Sequence, residues 1–190
     1  MSKNILICGV GGQGTVLAAK VLSQAAISKG EKVLSAETIG MAQRGGSVVS
    51  HVRIGEDVYS PLIPEGQADI IIAFEAAEAA RNAKFLKQDG IVIVNKKVVQ
   101  PTTASLTGKT FSESTMIEYL EKTASKVISV DTDQICQEIG SSKVVNMVLL
   151  GAACQTGIIN VEELKASIQL MVKPEFFELN VKAVDMGFVN

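Results

Sequence analysis

An apolar run, Asn4 to Val10, leads straight into glycines, G-V-G-G-Q-G over residues 9–14, and a helical stripe starts at once behind them. Gly9, Gly11 and Gly14 fill the three glycine places of G-x-G-x-x-G, and Gly12 is a fourth. Its context is the one the motif has in nucleotide-binding folds, a strand before it and a helix after it. A turn this tight lets backbone approach a bound group closely and aims free N–H groups from a helix start, where the dipole favours negative charge. The pattern therefore predicts a phosphate-bearing ligand. The plainer alternative is a tight turn whose third glycine only lets helix and strand pack.

The rest of the chain repeats the strand–helix alternation. Apolar residues at Val16, Leu17, Val21, Leu22, Ala25 and Ala26 form a helical stripe over 13–29, stopped by Gly30. Residues 32–36 read as strand two, closed by Glu37, completing a β-α-β unit. Ser47 to Ile54 reads as a strand, and 58–62 as a segment pairing back antiparallel before the prolines interrupt it. Ala68 to Phe74 and Ile91 to Asn95 read as buried strands, with an alanine-rich helix over 75–87 between them. Residues 98–109 are weakly patterned. Further on, helices are predicted over 114–125, from a cap at Asp131 or Thr132 to Gly140, over 143–155, from a capping box at Asn160 to about 172, and from Pro174 to about 186, with a strand at 126–130. Strands alternating with helices predict an α/β fold: one domain over 1–190 with a doubly wound, mostly parallel, Rossmann-like sheet and helices on both faces.

Composition narrows the function classes. A chain of 190 residues holds one full core, and 47% apolar with 20% charged residues is ordinary for a globular protein. A net charge of −2 and the absence of Trp give no reason to expect nucleic acid or an anionic membrane as partner. No run reaches the ~18–20 apolar residues a membrane helix needs, and the N-terminal apolar stretch is too short for a signal peptide. A cytoplasmic protein is expected. Cys8, Cys136 and Cys154 are scattered and never spaced C-x-x-C, which predicts small buried apolar residues and supports no metal or iron–sulfur site.

A second glycine segment, Gly40-Met-Ala-Gln-Arg44-Gly-Gly-Ser47, follows strand two, on the side where open α/β sheets bind ligands. Arg44 suits a planar anion, carboxylate or phosphate, and the glycines after it free the backbone. The candidate cofactor-binding residues are Gly9, Gly11, Gly12, Gln13 and Gly14 in the first loop, and Met41, Gln43, Arg44, Gly45 and Gly46 in the second. Nothing in the sequence marks a catalytic nucleophile. His51, the sole histidine, reads as a hydrogen-bonded structural residue of a strand. Glu75 sits at a strand end, where it either caps a helix or meets a ligand, and Asn146 falls inside an apolar helical segment.

G-V-G-G-Q-G followed by T-V-L-A-A-K-V-L-S-Q-A-A, then E-T-I-G-M-A-Q-R-G-G-S-V-V-S-H-V-R-I-G, and later N-M-V-L-L-G-A over 146–152, resembles the gamma-type domain of 2-oxoacid:ferredoxin oxidoreductases. The likeness covers nearly the whole chain. The G-M-A-Q-R-G-G-S-V form looks most like the small beta subunits of the indolepyruvate-specific members. The resemblance implies a hetero-oligomer that converts an aryl 2-oxoacid and coenzyme A to acyl-CoA and CO2 while reducing ferredoxin. It places thiamine diphosphate and the iron–sulfur clusters on a large alpha subunit with a ferredoxin-like domain, and none on this chain, which is catalytically incomplete alone. Coenzyme A is the co-substrate that the glycine loops are expected to contact, unless they pack on the large subunit. Three alternatives remain within reach of the sequence: a gamma subunit for pyruvate or 2-oxoglutarate, a stand-alone NAD-binding dehydrogenase with Glu37 on a ribose, and a non-enzymatic nucleotide-binding regulator.

Overall fold

Continuous apolar runs, rather than alternation, mark strands covered on both sides, and β1 (Lys3–Val10) is buried along almost its whole length. Its Ile5 and Ile7 face one helical layer, its Leu6 and Cys8 the other. The computed structural model describes residues 2–37, 45–99 and 112–189. They form α1 (Thr15–Ser28), β2 (Val33–Glu37), β3 (Ser47–Ile54), β4 (Ala68–Ala73), α2 (Ala76–Asn82), β5 (Leu86–Asn95), α3 (Glu113–Thr123), β6 (Lys126–Val130), α4 (Thr132–Ile139), α5 (Val145–Cys154), α6 (Val161–Met171) and α7 (Phe177–Val189). The sheet runs β2-β3-β1-β4-β5-β6.

The mostly parallel α/β sheet is the expected one, with one strand that departs from it. β1, β4, β5 and β6 are mutually parallel, but β3 lies antiparallel between β1 and β2. The β1–α1–β2 unit is therefore real in direction, yet its two strands are not neighbours. β3 alternates: Val48, Ser50, Val52 and Ile54 are buried toward α1, while Ser47, Val49, His51 and Arg53 face the α2 side. Helices α1, α4, α5, α6 and α7 cover one face of the sheet, and α2 and α3 the other.

Three boundaries differ from the sequence reading. Residues 58–62 do not form a strand. Arg53 Nη1 donates to the carbonyls of Ser60 and Leu62 at 3.0 and 3.1 Å, and His51 Nδ1 accepts the Ile63 N–H at 3.2 Å. Side chains thus take the groups a ladder would have used. The helix expected over 75–87 ends at Asn82, passes through a 3-10 turn at Ala83–Phe85, and gives way to β5 at Leu86. Gly90 lets that strand fold over Leu86, whose side chain would lie 2.6 Å from a Cβ there. Pro174 opens a 3-10 turn, Pro174–Phe176, before α7 begins. Only Val98 and Val99 of the weakly patterned stretch fall within the described residues.

Asn160 caps α6 as expected, its Oδ1 accepting from the amides of Glu162 and Glu163 at 2.9 and 3.2 Å. Asp131 caps α4, accepting from the Gln134 amide at 3.1 Å. No helix among the described residues is long and apolar enough to cross a membrane.

Candidate anion groove at the carboxyl edge of the sheet

The chain leaves β1 toward one side of the sheet and β4 lies on the other, so the carboxyl ends of β1 and β4 bound the switch point where open α/β sheets hold ligands. The glycine loop sits there. Gly9 must be glycine: a Cβ would fall 2.8 Å from Phe74 Cβ and 2.7 Å from Gln13 Oε1. Gly12 and Gly14 take left-handed backbone, with φ of 99° and 89°. Gln13 turns inward, its Oε1 accepting the Val10 N–H at 2.7 Å, which ties the loop to the end of β1.

The antiparallel course of β3 delivers Gly45 and Gly46, at the end of the second glycine segment, to the same spot. The Gly11 N–H donates to the Gly46 carbonyl at 2.8 Å, and the Gly45 N–H donates to the Gly11 carbonyl at 3.3 Å. The two loops are zipped together by backbone. Gly9, Gly11, Gly12, Gln13, Gly14, Gly45 and Gly46 are thus brought to one place, whereas Met41, Gln43 and Arg44 lie outside the described residues. The Gly11 amide is taken up by Gly46, and so is not among the donors open to a ligand.

The start of α1 supplies open donors. Its first intrahelical bond runs from the Ala18 amide to the Gly14 carbonyl at 3.1 Å, so Thr15, Val16 and Leu17 present the unpaired amides of a helix start. No acidic residue occupies that first turn. An open groove of about 430 Å³ lies against it, lined by Gly11, Gly12, Gly14, Thr15, Val16, Leu17, Lys20 and Val48. Lys20 is exposed and forms no ion pair among the described residues. A helix N-terminus and an ammonium converge on the same space, which suits a phosphate or carboxylate.

Sequence reasoning missed Lys20, which reads as part of a solvated helix face. The signal was its place one turn beyond Val16, close to the start of the helix. It also missed Glu78 in the alanine-rich helix. Glu78 is 5% exposed, and its Oε2 accepts from Ser47 Oγ at 2.6 Å while its Oε1 pairs with Arg81. Glu75 resolves as a cap: Oε2 accepts the Glu78 N–H at 2.7 Å and Oε1 the Val99 N–H at 2.9 Å. Asn146 stands behind the loop, its Nδ2 3.3 Å from where a Gly14 Cβ would be, with its Oδ1 accepting the Met147 N–H at 3.0 Å.

The remaining candidates lie elsewhere. Glu37 ends β2, two strands from β1, so roughly 10 Å of sheet separates it from the glycine loop. His51 packs edge-on to Phe85, and its imidazole is held below its usual pKa by burial and by Arg53. The thiols of Cys8, Cys136 and Cys154 are free and buried in three separate elements. Burial pushes Cys154 up to about 12 and raises Cys8 and Cys136, with the carboxylates of Glu78 and Glu75 adding to the effect at Cys8. No group of three or more His, Cys, Asp or Glu among the described residues is placed to hold a metal ion.

Comparison with known proteins gives the same architecture a context. The family model described as pyruvate ferredoxin/flavodoxin oxidoreductase matches residues 4–189. The chain is 43% identical to the indolepyruvate oxidoreductase subunit IorB of Archaeoglobus fulgidus, over 99% of this chain and 94% of that one. It is 40% identical to the subunit of the same name from Pyrococcus horikoshii, over 97% of this chain and 93% of that one. The keto/oxoacid ferredoxin oxidoreductase gamma subunit of Geobacter sulfurreducens superposes with a TM-score of 0.71 at 26% identity, covering 98% of this chain and 96% of that one.

Proposed function

The chain belongs to the pyruvate ferredoxin/flavodoxin oxidoreductase family, and from that premise we propose that it is the small subunit of an indolepyruvate:ferredoxin oxidoreductase. The observation that carries this reading is the match, over nearly the full length of both chains, to a subunit named for indolepyruvate oxidoreductase at 43% identity. The complex converts an aryl 2-oxoacid and coenzyme A to acyl-CoA and CO2, passing two electrons to ferredoxin. Thiamine diphosphate and the iron–sulfur clusters reside on the large subunit, and the assembly is cytoplasmic.

The part left to this chain is to receive an anionic group. The groove at the start of α1 offers amides from Thr15, Val16 and Leu17 and the ammonium of Lys20. These donors fit a phosphate of coenzyme A, with Gly12 and Gly14 leaving the backbone bare beside it. The stand-alone dehydrogenase reading finds no support here, because β3 separates Glu37 from the loop whose ligand it would have to share.

The test is co-expression with the large subunit and a coenzyme A-dependent dye-reduction assay on indole-3-pyruvate, pyruvate and 2-oxoglutarate. The complex should turn over the aryl 2-oxoacid with the highest kcat/KM, and neither subunit should do so alone. Oxidation of a ketoacid by this chain by itself, or a preference for pyruvate, would contradict the proposal.

A further inference from the structure

A buried carboxylate is costly unless its oxygens are paired. Glu78 is buried, yet α2 does not need it as a cap, since Glu75 already fills that role. One Glu78 oxygen is given to Arg81, which supplies the countercharge. The other reaches out of the helix to the Ser47 hydroxyl at 2.6 Å, within the range of a charge-assisted bond.

Ser47 is the first residue of β3 and directly follows Gly45-Gly46. Period-two alternation sends Ser47 to the α2 side and Val48 to the α1 side, where it lines the groove. Just before them, Gly46 holds Gly11 through a 2.8 Å backbone bond. A residue on one face of the sheet is thereby linked, through Ser47, to the backbone on which the groove is built on the other.

We infer that Glu78 is a positioning residue for the groove: by fixing Ser47 it sets Gly46 against Gly11 and Val48 into the groove wall, and so fixes the height of the Gly11–Gly14 loop over the start of α1. The identity of the ligand in this inference rests on the coenzyme A reading above. Glu78 touches no ligand, and it acts through Ser47 and Gly46.

Two measurements on Ser47→Ala and Glu78→Gln test this. In the full chain, amide hydrogen exchange at Gly11 should accelerate about tenfold or more, as expected for loss of one charge-assisted hydrogen bond, while Ile5, Leu6 and Ile7 of β1 keep their protection. In the assembled complex, KM for coenzyme A should rise several-fold with kcat within about twofold of wild type, and Ser47→Thr, which keeps the hydroxyl, should restore both readings. Unchanged exchange at Gly11 in both variants overturns the inference, as does acceleration spread evenly over β1. Lys20→Ala separates the two layers. If it raises KM while Ser47→Ala does not, the positioning role falls and the coenzyme A reading stands. If neither raises KM, the coenzyme A reading falls, and selective loss of Gly11 protection still supports the link from Glu78 to the loop.

Discussion

Gly151 of α5 and Val184 of α7 meet at backbone distance: a Cβ on Gly151 would stand 2.1 Å from the Val184 carbonyl oxygen. The relation is reciprocal, since a Cβ on Gly187 would stand 2.0 Å from the Val148 carbonyl oxygen. The two helices therefore pack with nothing between their main chains. The consequence reaches the groove, because α5 also carries Asn146 against Gly14. Gly151→Ala pushes on backbone that cannot rotate aside. Overpacking of this kind costs about 3 kcal/mol, and thermal unfolding should show a drop of several degrees. A Tm within a degree of wild type would show that α5 and α7 can move apart freely.

The two kinds of glycine in the loop should respond differently. Gly9→Ala has no room between Phe74 and Gln13 and should destabilise by about 2–3 kcal/mol. Gly12→Ala meets nothing within 4 Å but keeps a φ of 99°, and should cost about 1 kcal/mol of backbone strain. Urea unfolding of both variants checks the order. Equal losses would mean that Gly9 is not sterically confined.

His51 predicts a pH dependence of stability. Its pKa in the folded chain lies below the ordinary value, chiefly through burial, so the unfolded chain binds the proton more readily. Protonation would also compete for the nitrogen that accepts from the Ile63 N–H. Stability from this group is complete above about pH 6.5 and falls as the pH drops from there toward the folded pKa. Tm measured from pH 7.5 to 5.5 should decline, and His51→Gln should flatten that part of the curve. A Tm that rises on acidification through this window would reverse the sign and refute the assignment.

The three thiols should be inert in the folded chain. All are buried and their pKa values are raised, so little thiolate exists to react. A thiol reagent at pH 8 should label none of them within minutes, and all of them once denaturant is added. Rapid labelling of Cys136 or Cys154 under native conditions would show that α4 or α5 opens locally.

Much of the architecture is legible in the sequence because it is local. The β1–glycine–α1 unit, the strand at 126–130 and the caps at Asp131 and Asn160 each depend on residues within a few positions. The insertion of β3 between β1 and β2 is not legible, because alternation reports which residues share a face and says nothing of strand direction. That one strand is what joins the two glycine segments and what removes Glu37 from the site. Glu78 and Lys20 escape notice for a related reason. A charge on a helix has the same sequence pattern whether it is solvated, like Lys20 in an open groove, or buried against a partner from elsewhere in the chain, like Glu78 against Ser47.

The most direct test of the groove as the coenzyme A subsite is calorimetric titration of coenzyme A into the co-purified two-subunit complex, comparing wild type with Lys20→Ala. Loss of one ammonium–phosphate interaction should weaken binding about tenfold with the complex still assembled. An affinity unchanged by Lys20→Ala would contradict the account and place the co-substrate's phosphates elsewhere.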